Sequence, residues 1–146
     1  MTPLKLLERI RDLLQGSVAK WELPAQLQRK PISFYLQSIP EGEFADDNFY
    51  PLICIELLAV TDEIEHSTAQ VLLTLGTYHG EDSKGWQDHL NLAQKVRETL
   101  LTNTIVGEFA LELPIDYGVC EQVMQNFDFS NLLLTYQIPY LQRKYF

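Results

Sequence analysis

The spacing of hydrophobic residues predicts two amphipathic helices, one near the start of the chain and one past its middle. The first is predicted over residues 3–15, where leucines and isoleucine recur at helical spacing: Leu6, Leu7, Ile10, Leu13 and Leu14. Thr2 can cap this helix, Pro3 suits its first position, and Gly16 can end it.

The second helix is predicted over residues 83–101, directly after a strand-like run. Asp82 or Ser83 can cap it, because a short side-chain oxygen accepts a free amide hydrogen of the first turn. One apolar stripe follows at helical spacing: Trp86, Leu90, Ala93, Val96 and Leu100. The indole of Trp86 is therefore expected to face the sheet, together with Leu6, Ile10 and Leu13 of the first helix.

Five segments are predicted as strands. Apolar and aromatic runs mark residues 32–37, 51–60, 68–78 and 127–138. The fifth strand begins at Phe109, where Phe109, Leu111 and Leu113 alternate with Ala110, Glu112 and Pro114. This period of two is typical of a half-buried strand. The run at 51–60 is so continuously apolar that both of its faces are expected to be covered.

The remaining segments are predicted to be irregular. Residues 23–29, in a segment that contains Pro24 and is followed by Pro31, are predicted as a short helical turn, and residues 118–126 as a loop. The loop at 38–50 is long for a compact domain, and loops of that length are often functional.

The predicted elements follow the order helix, strands, helix, strands. This order favours an α+β fold over an α/β fold, in which strands and helices alternate and the sheet is parallel. We expect a single domain over residues 1–146, with one mixed, mostly antiparallel sheet and two main helices packed on one face. A chain of this length buries roughly 70% of its unfolded surface, enough for one core.

Composition and charge argue against some classes of protein function. The chain carries 11 basic and 20 acidic residues, a net charge of −9, whereas proteins that wrap nucleic acid cluster their lysines and arginines. The N-terminus lacks the pattern of a signal peptide, and no run approaches the roughly 18 apolar residues of a membrane span. Two cysteines, Cys54 and Cys120, favour a reducing compartment, with a disulfide as the alternative.

The sequence contains no motif that indicates catalysis or a cofactor, and we expect neither. It lacks a nucleophile elbow and a phosphate-binding loop. The only local group with metal-binding residue types is His79, Glu81, Asp82 and His89, which is more typical of a polar turn before a helix N-terminus.

Two motifs carry a resemblance to a known family. The segment Gly85–Leu92, which reads GWQDHLNL, opens the second helix, and Leu111–Pro114 reads LELP. With the leucine-rich first helix and a last strand ending in Ile-Pro, the chain resembles the tail-completion, tail-terminator-like proteins of long-tailed phages and prophages.

This resemblance implies a structural role in a virion tail, made in a bacterial cytoplasm. Its implied partners are further copies of itself in a ring, suspected to be hexameric, the tail tube and the head–tail connector proteins. DNA would pass through such a ring without being bound tightly. The alternative is a small cytoplasmic enzyme or a ligand-binding module of unknown specificity.

Seven residues are candidates for contacts with a neighbouring subunit or with the bore of a ring. The acids Glu41, Glu43, Asp46 and Asp47 lie in the long loop, where carboxylates would repel DNA phosphates. The aromatic residues Tyr140, Tyr145 and Phe146 follow Pro139 in a tail that can dock on a neighbouring surface.

Overall fold

The computed structural model describes residues 2–24, 29–39, 50–80, 84–120 and 126–138. These ranges contain helix α1 (Pro3–Ser17) and helix α2 (Gly85–Thr102). Their strands are β1 (Glu22–Pro24), β2 (Arg29–Pro31), β3 (Ser33–Leu36), β4 (Leu52–Asp62), β5 (Ser67–Tyr78), β6 (Ile105–Val106), β7 (Phe109–Val119) and β8 (Phe127–Ile138).

Six of these strands form the main sheet, in the order β3-β4-β5-β8-β7-β6. Only β3 and β4 run parallel; every other neighbouring pair is antiparallel. The sheet is therefore mixed and mostly antiparallel, and the predicted α+β class is confirmed. β7 continues to Val119, so the loop predicted from residue 118 begins later than expected.

A second, two-stranded sheet replaces the helical turn predicted at residues 23–29. β1 and β2 pair antiparallel, with Leu23 opposite Lys30. Leu23 is buried in the main core, and the Arg29 guanidinium donates a 2.7 Å hydrogen bond to the Glu22 carbonyl. Prolines at both ends of the segment disfavour a helix, so burial of Leu23 is achieved by an extended pair instead.

Both helices pack on the same face of the main sheet, and the sheet curls around them. α1 contacts β3 and β4 near one edge and β6 at the other, while α2 lies on β5 and β8. The inward side chains of the four long strands are almost entirely apolar, and they meet Leu6, Leu7, Ile10 and Leu14 of α1. Each fully buried Leu or Ile contributes roughly 1.5–3 kcal/mol.

The opposite face of the sheet carries a smaller aromatic cluster. Tyr50, Leu52, Phe127 and Phe129 are buried there. The Tyr50 ring lies 4.6 Å from that of Phe127, centroid to centroid, and it rests over Gly76. Burial raises the pKa of Tyr50 to about 12, with a smaller contribution from Tyr35.

The prediction that both faces of strand 51–60 are covered holds for its first half only. Leu52–Ile55 is buried on both faces, between the helices and the aromatic cluster. A β-bulge between Leu57 and Ala59 follows, and from Leu58 onward the strand is exposed. β3 ends opposite Ile55, and the Gln37 side chain then bonds to the backbone of Leu57. Beyond Leu57, no described strand pairs with β4 on that edge.

The predicted core stripe of α2 is wrong for two residues. Trp86 is 52% exposed and Leu90 is 41% exposed. At about 100° per residue, they lie about 80° and about 120° around the helix from the buried Val96. The buried stripe is instead Gly85, His89, Leu92, Ala93, Val96, Thr99 and Leu100.

The predicted helix ends are partly correct. Thr2 precedes α1 but its side chain forms no capping hydrogen bond, and the helix continues past Gly16 to Ser17. The predicted caps of α2, Asp82 and Ser83, lie outside the described residues; Lys84 precedes the helix.

Candidate functional site

His89 forms the centre of a buried polar line between α2 and the sheet. Its Nδ1 lies 2.8 Å from Thr77 Oγ1 on β5, and its Nε2 lies 2.6 Å from Ser130 Oγ on β8. All three residues are buried, and His89 is only 3% exposed. One ring nitrogen donates and the other accepts, so a neutral imidazole satisfies both hydroxyls.

Burial holds His89 in its neutral form. Removal from water lowers the pKa of the imidazole, and the nearby Asp128 carboxylate opposes this only in part. A serine hydroxyl hydrogen-bonded to a histidine is also the arrangement of a nucleophile and its base. Ser130 is completely buried, however, so a substrate cannot reach its hydroxyl. The line is therefore a structural connection between helix and sheet.

A second histidine supports the same end of α2. His79 Nε2 lies 3.6 Å from Asp128 Oδ2, and the His79 side chain packs directly against Gly85, the first residue of the helix. Glu81 and Asp82, the other members of the predicted polar group, lie outside the described residues. In the ranges that the structure describes, no three His, Cys, Asp or Glu residues are placed to hold a metal.

The two cysteines are free thiols in separate environments. Cys54 is buried, and burial, assisted by Glu56, raises its pKa to about 11. Cys120 is partly exposed, and its sulfur accepts a 3.1 Å hydrogen bond from the Asn131 amide. In this structure the two cysteines therefore do not form the disulfide that was the alternative from the sequence.

Two shallow grooves flank α2 on the helical side of the molecule. One, of about 550 Å³, lies between α2 and the small sheet, where Trp21, Arg29 and Lys95 meet Asp88 and Glu98. The other, also about 550 Å³, runs between the C-terminal ends of α1 and α2. Both are open to solvent, and their linings mix acidic and basic side chains.

Large hydrophobic side chains are exposed on several separate elements: the end of the β4–β5 hairpin, β6, β7 and both helices. They are Leu4, Leu58, Val60, Ile64, Trp86, Leu90, Leu101, Ile105, Leu113 and Val119. Single exposed apolar residues are ordinary on a protein surface, whereas those that lie close together on one element, such as Leu58, Val60 and Ile64, are candidates for a contact with another macromolecule.

The seven candidate contact residues named from the sequence, Glu41, Glu43, Asp46, Asp47, Tyr140, Tyr145 and Phe146, lie outside the described residues. The exposed apolar residues of the hairpin, Leu58, Val60 and Ile64, were not expected to form a surface. The acids that interrupt the apolar run after Val60, Asp62 and Glu63, were the available signal that this strand leaves the core.

No helix of the described residues combines the length and apolar character that crossing a membrane requires. No model of a known protein family matches the chain, and no curated protein matches it. A chain in a solved structure of the virion of a native gene transfer agent (GTA) particle is similar to it, with a TM-score of 0.41 and 12% sequence identity. The likeness covers 92% of this chain and 91% of that chain. At those values it carries no conclusion about function.

Proposed function

We propose that this protein is a structural component of the tail of a long-tailed phage or prophage. It would complete the tail as a hexameric ring of identical copies between the tail tube and the head–tail connector. The basis is the resemblance carried by Gly85–Leu92 and Leu111–Pro114, combined with the surface on which these motifs lie.

The observation that carries the proposal is the exposure of Trp86. This indole belongs to the motif on which the resemblance rests, yet it is 52% exposed and Leu90, one turn later, is 41% exposed. The helix is anchored without them, through His89, Leu92, Val96 and Leu100. An indole that the core does not use is explained by contact with another protein, since tryptophan is enriched at the centres of interfaces.

The second half of the other motif is also at the surface, whereas its first residue, Leu111, is buried. Leu113 and Pro114 lie on the exposed part of β7, past the point where β6 stops pairing with it. Exposed apolar residues in both motifs, on two different elements, support an assembly role better than a role in a single enclosed pocket.

The test is the location of the protein in assembled particles. Particles from a host that expresses it should contain the protein by mass spectrometry, and deletion of its gene should leave heads and tails unjoined in negative-stain micrographs. Complementation by Trp86→Ala should restore fewer complete particles than wild type, although the variant folds.

The matched control is Leu101→Ala, which truncates an exposed apolar residue at the other end of α2. It should complement as well as wild type. Complete, infectious particles from the deletion strain, with the protein absent from them, would contradict the proposal and favour the enzyme or binding-module alternative.

A further inference from the structure

Acidic and basic residues are segregated along the chain. Residues 31–83 contain ten of the 20 acidic residues and none of the 11 basic ones. All lysines and arginines of the described residues therefore lie on α1, on α2 and its preceding residue, or around the small sheet. By contrast, β4 carries only acidic charged residues, Glu56 and Asp62, and β5 carries no charged residue.

The acidic segment reaches the surface at the end of the β4–β5 hairpin. We call residues 58–66 the hairpin end. It exposes Leu58, Val60 and Ile64, the last of them 71% exposed, among the acids Asp62, Glu63 and Glu65. Ser67 donates a 2.6 Å hydrogen bond to Asp62, and Glu63 lies 3.6 Å from His66. Glu65 forms no ion pair with a described residue.

A complementary surface lies near the opposite edge of the sheet, where α1 meets β6. We call Leu4, Lys5, Arg9 and Ile105 the α1–β6 corner. Lys5 and Arg9 line a cleft of about 170 Å³ with Glu108 and Phe109, and the Arg9 side chain lies over Gly107.

The corner combines free positive charge with exposed apolar area. Neither the Lys5 nor the Arg9 side chain forms a hydrogen bond or ion pair with a described residue. Leu4 is 57% exposed and Ile105 is 71% exposed. Glu108 is the one acidic side chain in the described lining of the cleft, so cations outnumber anions there.

We propose that the hairpin end of one copy binds the α1–β6 corner of a second copy. Each surface supplies what the other lacks: carboxylates meet unpaired cations, and apolar side chains on both sides are removed from water together. The two surfaces are different patches of the same chain, so the contact is head-to-tail and can repeat from subunit to subunit. The inference deepens the proposed ring function and rests on it for the biological setting.

The experiment is charge reversal, read by sedimentation velocity of the full chain at about physiological salt. Glu63→Lys with Glu65→Lys makes the hairpin end basic, and Lys5→Glu with Arg9→Glu makes the corner acidic. Each double variant alone should associate about tenfold or more weakly than wild type, because like charges then face each other. The reversed residues are exposed, and circular dichroism and urea unfolding should show that each variant folds.

Mixing the two double variants provides the decisive measurement. The basic hairpin end then meets the acidic corner of the other variant, and the unchanged surfaces meet each other in turn. Association should return in the mixture toward the wild-type level. The control is Glu22→Lys with Glu98→Lys, which changes the net charge by the same amount as the basic hairpin-end variant but at other exposed positions. It should associate as wild type does, and adding it to the acidic-corner variant should not restore that variant's association as the basic hairpin-end variant does.

Wild-type protein that stays monomeric at its highest soluble concentration would overturn the inference, as would double variants that associate normally or a mixture that does not recover. These outcomes leave the proposed function standing if the protein is still found in particles. Conversely, recovery on mixing supports the contact even if particles lack the protein, and in that case only the proposed function fails.

Discussion

At the scale of single residues, His89 shows how a polar side chain can be a core residue. Its imidazole provides hydrogen-bond partners for the buried hydroxyls of Thr77 and Ser130. In the sequence, the only sign of this role was that His89 falls three residues before Leu92 and seven before Val96, on the helix face that is buried. Trp86 and Leu90 gave the stronger hydrophobic signal and lie off that face.

The first prediction concerns the pH dependence of stability. Burial lowers the folded-state pKa of His89 from its usual 6.5. Above that value the side chain is neutral in both states and contributes no pH dependence. As the pH falls below it, the unfolded chain takes up a proton that the folded protein resists, so stability falls, by at most about 1.4 kcal/mol per pH unit.

Urea unfolding between about pH 7.5 and about pH 5.5 measures this effect. His89→Gln keeps groups that can bond to both hydroxyls but does not titrate, so its free energy of unfolding should fall less over that range. Asp128 and His79 face the same region and are retained in the variant, which serves as its own control for them. Equal slopes for the two proteins would show that His89 is not the titrating group.

The second prediction compares two leucines on α2. Leu92 is fully buried, whereas Leu90 is 41% exposed. Leu92→Ala should lower the free energy of unfolding by about 2–5 kcal/mol, because it leaves a cavity in the core. Leu90→Ala should change it by less than about 1 kcal/mol. Urea unfolding of the pair checks this, and similar losses would mean that the helix packs on a different face.

At the scale of elements, periodicity predicted the helices and the long strands well, because each presents a continuous apolar face to one core. It did not predict the small sheet, since three-residue strands such as Glu22–Pro24 are too short to show a period. It also placed two residues of α2, Trp86 and Leu90, on the buried face, whereas Ala93, Val96 and Leu100 are buried as predicted. The helix wheel alone did not decide between neighbouring stripes, because the buried one includes Gly85 and His89, which give little hydrophobic signal.

The third prediction concerns the packing of α2 at its first residue. A Cβ at Gly85 would overlap the His79 side chain and lie 2.8 Å from its Cγ, so Gly85→Ala should destabilise the protein by about 1–3 kcal/mol. Gly16, in the last turn of α1, has no atom within 4 Å of such a Cβ. Gly16→Ala should therefore be neutral or stabilising by up to about 1 kcal/mol. Thermal unfolding of both variants tests the contrast, and a stable Gly85→Ala would mean that His79 is free to move.

At the scale of the whole molecule, function is a property of surfaces that the sequence reveals only in part. Charge segregation could be read from the sequence, because residues 31–83 lack lysine and arginine. The position of the α1–β6 corner could not, since Lys5 and Ile105 are a hundred positions apart along the chain. The curl of the sheet, which lets β6 reach α1, sets that position.

The fourth prediction is that the protein does not hold duplex DNA. With a net charge of −9 and its cations dispersed, it should bind with a dissociation constant weaker than about 10⁻⁴ M at physiological salt. Fluorescence anisotropy with a labelled duplex measures this. Lowering the salt should add little, because few phosphate contacts are available to release counterions. Tight binding that weakens steeply with added salt would contradict it.

β8 is the last strand of the described chain, yet it lies in the sheet between β5 and β7. While the protein is being synthesised, β5 therefore keeps an open edge until the residues up to Ile138 have left the ribosome. Val71, Leu73 and Leu75 are meanwhile without the strand that borders them in the finished sheet. An open, apolar strand edge can pair with another chain, so β5 is open to such pairing until β8 takes its place in the sheet.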